Sequence, residues 1–165
     1  YGLKKVRELY LSNIENIDTF MYKSCYCIPD IIVEELQKNP KKTVNLGMSC
    51  ATWDCALLAL QEIFKVNKDV AEKIFLENIE KVREAIYLPQ APCLEHAVEF
   101  LEFIEQAFPK SKNKIFENIN LAKIKINWQN RLNGSDLEKN TALKLIEMAK
   151  QTKLSIKQVA ELLET

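Results

Sequence analysis

Glycine is scarce in this chain, with three residues in 165, at positions 2, 47 and 134. Tight-turned β architectures use glycine where φ must be positive, and phosphate-cradling loops need it in clusters, so the shortage argues against both. There is one histidine, His96, and no site built on two imidazoles can form within the chain. Neither sign of charge is in excess, at 23 basic and 23 acidic residues. The basic surplus typical of nucleic-acid-binding domains is therefore missing. The apolar runs are short and broken by charge, and none approaches the roughly 20 residues of a membrane-spanning helix. The opening, Tyr1-Gly2-Leu3-Lys4-Lys5, has no initiator methionine and no apolar signal-peptide region. We read the chain as a piece of a longer protein.

The cysteines, Cys25, Cys27, Cys50, Cys55 and Cys93, are odd in number and their spacing is not that of a secreted disulfide framework. This favours a reducing, intracellular location, the cytoplasm or nucleus. Asn133-Gly134-Ser135 has the form of a glycosylation sequon. In a chain of this type it reads better as a helix stop followed by an N-cap.

Hydrophobic residues make up 47% of the chain, and they recur at three- and four-residue intervals, the period of a helix with one buried face. The first such stretch runs from about Leu3 to Phe20. Pro29 suits the first turn of a short helix over Asp30–Lys38, and Asn39-Pro40-Lys41-Lys42 breaks it. Ser49 or Thr52 can cap a helix whose stripe is Trp53, Ala56, Leu57, Leu60, Ile63 and Phe64. Asn67-Lys68-Asp69 opens the next, expected to run unbroken to about Leu88 with Val70, Ile74, Phe75, Ile79, Val82 and Ile86 inward. Pro89 and Pro92 then punctuate. Cys93–Phe108 is the most apolar helix, with a narrow wet side at Glu95, Glu99, Glu102 and Glu105, and it should be covered by neighbours on two sides. Pro109 ends it. A further helix is expected over Ile115–Leu132 with Ile115, Ile119, Ala122 and Ile126 on its face. Asn133-Gly134 stops it. The capping box Ser135–Glu138 opens a helix to about Thr152, and a second box, Ser155–Gln158, opens a last one to Leu163. The expectation is an all-α fold: seven or eight amphipathic helices in one domain over 1–165, as a helical bundle or a short HEAT- or armadillo-like α-solenoid. Residues 135–165 would form a separable C-terminal hairpin.

Charge sums to zero but is segregated. Residues 69–108 hold nine acidic and three basic side chains, and residues 109–131 hold six basic and one acidic. Either these stretches face one another and neutralise, or each is a patch that meets a partner of opposite sign. Lys110, Lys112, Lys114, Lys123, Lys125 and Arg131, with Trp128 among them, are the candidate partner-binding residues. Trp128 can anchor a peptide or stack on a base, although a core position is the better expectation for it.

Catalytic and metal chemistry find little support. Cys25, Cys27, Cys93 and His96 could supply three thiolates and an imidazole to structural zinc, and Cys93 and His96 share a helix face. Cys25-x-Cys27, however, is tighter than the usual knuckle, and small buried residues explain these cysteines as well. His96 is the only imidazole base available to a thiol nucleophile, and no cysteine has the sequence context of one. The glutamates of 95–105 read as a solvated helix face. No cofactor and no enzymatic activity is expected. The tail Leu154-Ser155-Ile156-Lys157-Gln158-Val159-Ala160-Glu161-Leu162-Leu163 resembles the first helix of a bacterial helix-turn-helix motif. That resemblance implies DNA binding through a turn and a base-reading helix, and these do not follow within the 165 residues. The expected function is a non-enzymatic scaffold or adaptor module that docks a segment of another protein, or a second copy of itself, in a groove between helices. The alternative is a nucleic-acid binder using the basic segment 110–131, and no membrane association is expected.

Overall fold

The computed structural model describes residue 8 and residues 29–46, 53–87 and 94–151. Every regular element among them is helical, as the periodicity predicts: the fold is all-α. No helix among the described residues is long and apolar enough to cross a membrane. The chain divides into two compact units, Tyr1–Asn78 and Ile79–Thr165. The expected helices Leu3–Phe20 and Ser155–Leu163, the caps Ser49 and Thr52, and Pro89 and Pro92 lie outside the described residues.

In the first unit, α1 spans Pro29–Lys38, α2 Trp53–Val66 and α3 Lys68–Glu77. Pro29 pre-sets φ for the first turn of α1, and Asp30 and Lys38 sit at the ends where the helix dipole favours their charges. Ile32, Val33 and Leu36 of α1 and Ala56, Leu57, Leu60 and Ile63 of α2 are buried where these helices pack. α2 and α3 meet across a single residue, Asn67. Its Oδ1 accepts from the Val70 N–H at 3.1 Å, the N-cap expected from the sequence.

One helix was expected from Asn67 to Leu88, but the structure breaks it at Asn78. That side chain is buried and fully used. Oδ1 accepts from the Leu46 N–H at 2.9 Å, while Nδ2 donates to the Val44 carbonyl at 2.8 Å and the Ile74 carbonyl at 2.7 Å. The segment Val44–Leu46 is thereby tied to the end of α3, with the Val44 and Leu46 side chains buried. The break thus satisfies buried backbone groups from another part of the chain. Nearby, Lys42 pairs with Glu35 at 3.0 Å and holds its carboxyl below the ordinary glutamate value.

The second unit contains α4 (Ile79–Ile86), α5 (Leu94–Ala107), a 3₁₀ turn η1 (Lys112–Phe116), α6 (Leu121–Leu132) and α7 (Asp136–Lys150). α5 packs on α4 and on α7, the two-sided cover expected for the most apolar helix. It buries Val98, Phe100, Leu101 and Ile104. The helix expected over Ile115–Leu132 is divided. Ile115 and Phe116 are buried within η1, the chain turns through Asn118 at φ 55°, and α6 starts only after Asn120. Asn120 Oδ1 accepts from the Lys123 N–H at 3.0 Å and caps it. The face also differs from expectation: Ile124 and Trp128 point inward, Ala122 is exposed, and Ile126 is 59% exposed.

The joint between α6 and α7 follows the sequence closely. Ser135 Oγ accepts from the Glu138 N–H at 3.3 Å, the N-cap half of the expected box. A Cβ at Gly134 would lie 2.7 Å from Glu138 Oε2, so a larger residue there would make the end of that side chain shift. That carboxylate also receives Arg131 Nη1 at 2.8 Å. The Arg131 hydrogen bond, with help from Ser135, holds the Glu138 pKa below its ordinary value. A depressed carboxylate pKa stabilises the fold above the unfolded-state value and loses that effect as pH falls through the folded-state value. We expect the thermal midpoint to drop as pH falls through the ordinary glutamate value, about 4.3, and below it. The drop should be shallower in Glu138→Gln, and parallel curves for the two proteins would refute the assignment.

Candidate functional site

A concavity lies between α5 and α7 of the second unit. It is a groove of about 550 Å³, open to solvent. Val98 forms its apolar floor with Leu137, which is 47% exposed on the opposite side. Glu99 and Glu102 stand on the α5 wall, and Asn140, Thr141 and Lys144 on the α7 wall. The sequence dictates this layout. On α5, Val98 and Leu101 belong to the buried stripe, so Glu99 and Glu102, three apart, share its solvated edge. On α7, the buried row Thr141, Ala142, Leu145, Ile146 and Ala149 leaves Leu137, Asn140 and Lys144 along its rim. Lys144 Nζ lies 3.3 Å from Glu102 Oε1, and the pair bridges the walls. Both side chains are largely exposed, so the bridge is weak and easily opened. His96 is exposed one turn before Glu99, its Nδ1 3.9 Å from Glu99 Oε2.

The fold takes up two of the predicted partner-binding residues. Trp128 is 1% exposed and belongs to the core, so it offers no ring face to a peptide or a base. Arg131 is engaged with Glu138 inside the α6–α7 joint. Lys123 lies over the Tyr87 ring, 4.3 Å from its centroid. Tyr87 also fixes the start of α6: its hydroxyl accepts from the Asn120 N–H at 3.1 Å and its carbonyl from Asn127 Nδ2 at 2.6 Å. Lys110 and Lys114 are exposed, and Lys112 and Lys125 are half-buried. Lys112 borders a small apolar cavity with Glu105, where the acidic and basic stretches do come together. Arg83 Nη2 donates to the Lys114 carbonyl at 2.8 Å and fixes the backbone of this turn.

Of the zinc alternative, Cys25, Cys27 and Cys93 lie outside the described residues. Among the described residues no group of three or more histidine, cysteine or acidic side chains is placed to hold a metal. Cys55, in the first turn of α2, is disulfide-bonded. This departs from the reading of the cysteines as reduced core residues; sequence spacing carries no information on which cysteines approach in space.

Sequence periodicity alone does not single out the α5–α7 groove. Its acidic wall was visible as the glutamates of 95–105, which read as an ordinary solvated face. Leu137 was the missing signal, an apolar residue in the first turn of α7 that the helix's buried stripe does not use. No protein-family model, no curated protein and no solved structure matches the chain.

Proposed function

We propose that the chain is a protein-interaction module that seats a segment of a protein in the groove between α5 and α7. One observation carries this reading: an open groove pairs an apolar floor with an acidic wall between two packed helices. Helix-pair grooves of this kind accept an amphipathic helix or an extended peptide, whose apolar side chain supplies affinity while charge sets orientation. Glu99 and Glu102 favour a segment that carries lysine or arginine beside its apolar anchor. Lys144, already paired with Glu102, offsets only part of the wall's charge. The basic segment supports nucleic-acid binding less well, because Trp128 is buried and Arg131 is engaged within the fold.

The test is selection of displayed peptides against the full chain, followed by affinity measurement on Leu137→Asp. The selected sequences should combine a basic residue with an aliphatic or aromatic one. The substitution should weaken them about tenfold or more while leaving the melting temperature in place. Peptides indifferent to Leu137, or tight binding of DNA or RNA at about 50 mM salt with no peptide selected, would overturn the proposal.

A further inference from the structure

Asn133 is the one asparagine of the chain that is followed by glycine; each of the other twelve precedes a residue with a side chain. Glycine puts no Cβ beside the carboxamide of the asparagine before it. Its backbone nitrogen therefore reaches the carboxamide carbon more readily than that of any other residue. Asn133 and Gly134 are both exposed, so solvent water and base have access to them. The fold nevertheless holds the pair shut. Asn133 is the C-cap of α6, at φ −94° and ψ 2°. At that ψ the Gly134 nitrogen eclipses the nitrogen of Asn133 and is turned away from its Cβ. The Gly134 N–H donates to the Arg131 carbonyl at 3.1 Å, and Asn133 Nδ2 donates to the Gln129 carbonyl at 3.1 Å. Both reacting groups are thus held on α6 carbonyls. The Arg131–Glu138 pair spans the same turn and braces it. Helix ends open locally far more often than a whole domain unfolds.

We propose that Asn133 is a site of spontaneous deamidation, and that opening of the last turn of α6 sets its rate. In the opened turn a solvent base takes the Gly134 amide proton, and the nitrogen attacks Asn133 Cγ. An N–Cγ bond forms, the Cγ–Nδ2 bond breaks, and ammonia leaves with a proton from solvent. Water then opens the five-membered imide at either carbonyl, giving aspartate or isoaspartate at 133. Either product puts a carboxylate at the C-terminal end of α6, where the helix dipole disfavours it. Isoaspartate also adds a backbone carbon to the turn that joins α6 to α7. The converted protein should therefore melt at a lower temperature.

The test is incubation of the full chain in mildly alkaline buffer, well below its melting temperature, beside a free peptide of residues 129–137. Digestion and mass spectrometry then locate aspartate and isoaspartate. Asn133 should convert ahead of every other asparagine, about ten- to a hundredfold more slowly than in the peptide. Two substitutions separate opening of the turn from local charge. Glu138→Gln and Arg131→Leu remove charges of opposite sign but break the same pair. Each should speed conversion about threefold or more at a temperature where both variants remain folded. Conversion led by another asparagine, a rate equal to that of the peptide, or a residue 133 still intact beyond the stated range would overturn the proposal. So would a rate that neither substitution moves, or that the two move in opposite directions, since the turn would then not be the gate.

Discussion

Truncating Trp128 to alanine should destabilise the protein by about 3–5 kcal/mol, the usual cost of removing a large aromatic side chain from a packed interior. Trp128 is the largest of the fully buried side chains among the described residues, and with Ile124 it forms the inward row of α6. The cavity it leaves cannot close readily, because Asn120 and Tyr87 hold the start of α6 and the Arg131–Glu138 joint holds its end. Trp128→Phe keeps much of the buried area and should cost clearly less. Urea denaturation of the three proteins checks this. A loss below about 1 kcal/mol for Trp128→Ala would place the ring at the surface and restore it as a candidate anchor for a partner.

Asn78→Ala should cost about 2–4 kcal/mol, a large effect for one polar side chain. The substitution removes the acceptor of the Leu46 N–H and the donor to the Val44 and Ile74 carbonyls, all buried. A buried polar group left without a partner costs about 1–3 kcal/mol, and here more than one is affected. Asn78→Asp separates hydrogen bonding from volume. It preserves shape and the acceptor toward Leu46, but turns a second oxygen toward two carbonyls, so it too should destabilise at neutral pH. Equal stability of Asn78→Asp and the native protein in urea would refute the role assigned to the amide.

The same residue shows how far the sequence could be read. Three helix starts were legible from local devices: Pro29 opens α1, Asn67 caps α3 and Ser135 caps α7, each from side-chain chemistry within a few residues, whereas the Asn120 cap of α6 was missed. The break at Asn78 was not legible. Ile74, Phe75, Ile79 and Val82 run through it in unbroken helical period, and its cause lies in the backbone of Val44 and Leu46, more than thirty residues away. The orientation of α6 was ambiguous for another reason. Ile119, Ala122 and Ile126 make one apolar spiral and Ile124 with Trp128 makes another. Burying Trp128 removes far more apolar surface from water than burying Ala122, so the second spiral wins. The docking groove escaped for a third reason. Each of its walls is an ordinary amphipathic helix, and only the packing of α5 on α7 brings the acidic edge of one beside the spare leucine of the other. Of the residues singled out in the basic segment, Trp128 went to the core and Arg131 to a joint between helices, because burial and pairing within the fold claim them first.

The most direct test of the docking groove is amide chemical-shift mapping of the full chain titrated with a selected basic, apolar peptide. The account predicts saturable shifts centred on Val98, Glu99, Leu137, Asn140 and Thr141, suppressed in Leu137→Asp. Shifts confined to residues outside the groove between α5 and α7, or a spectrum unchanged at saturating peptide, would contradict it.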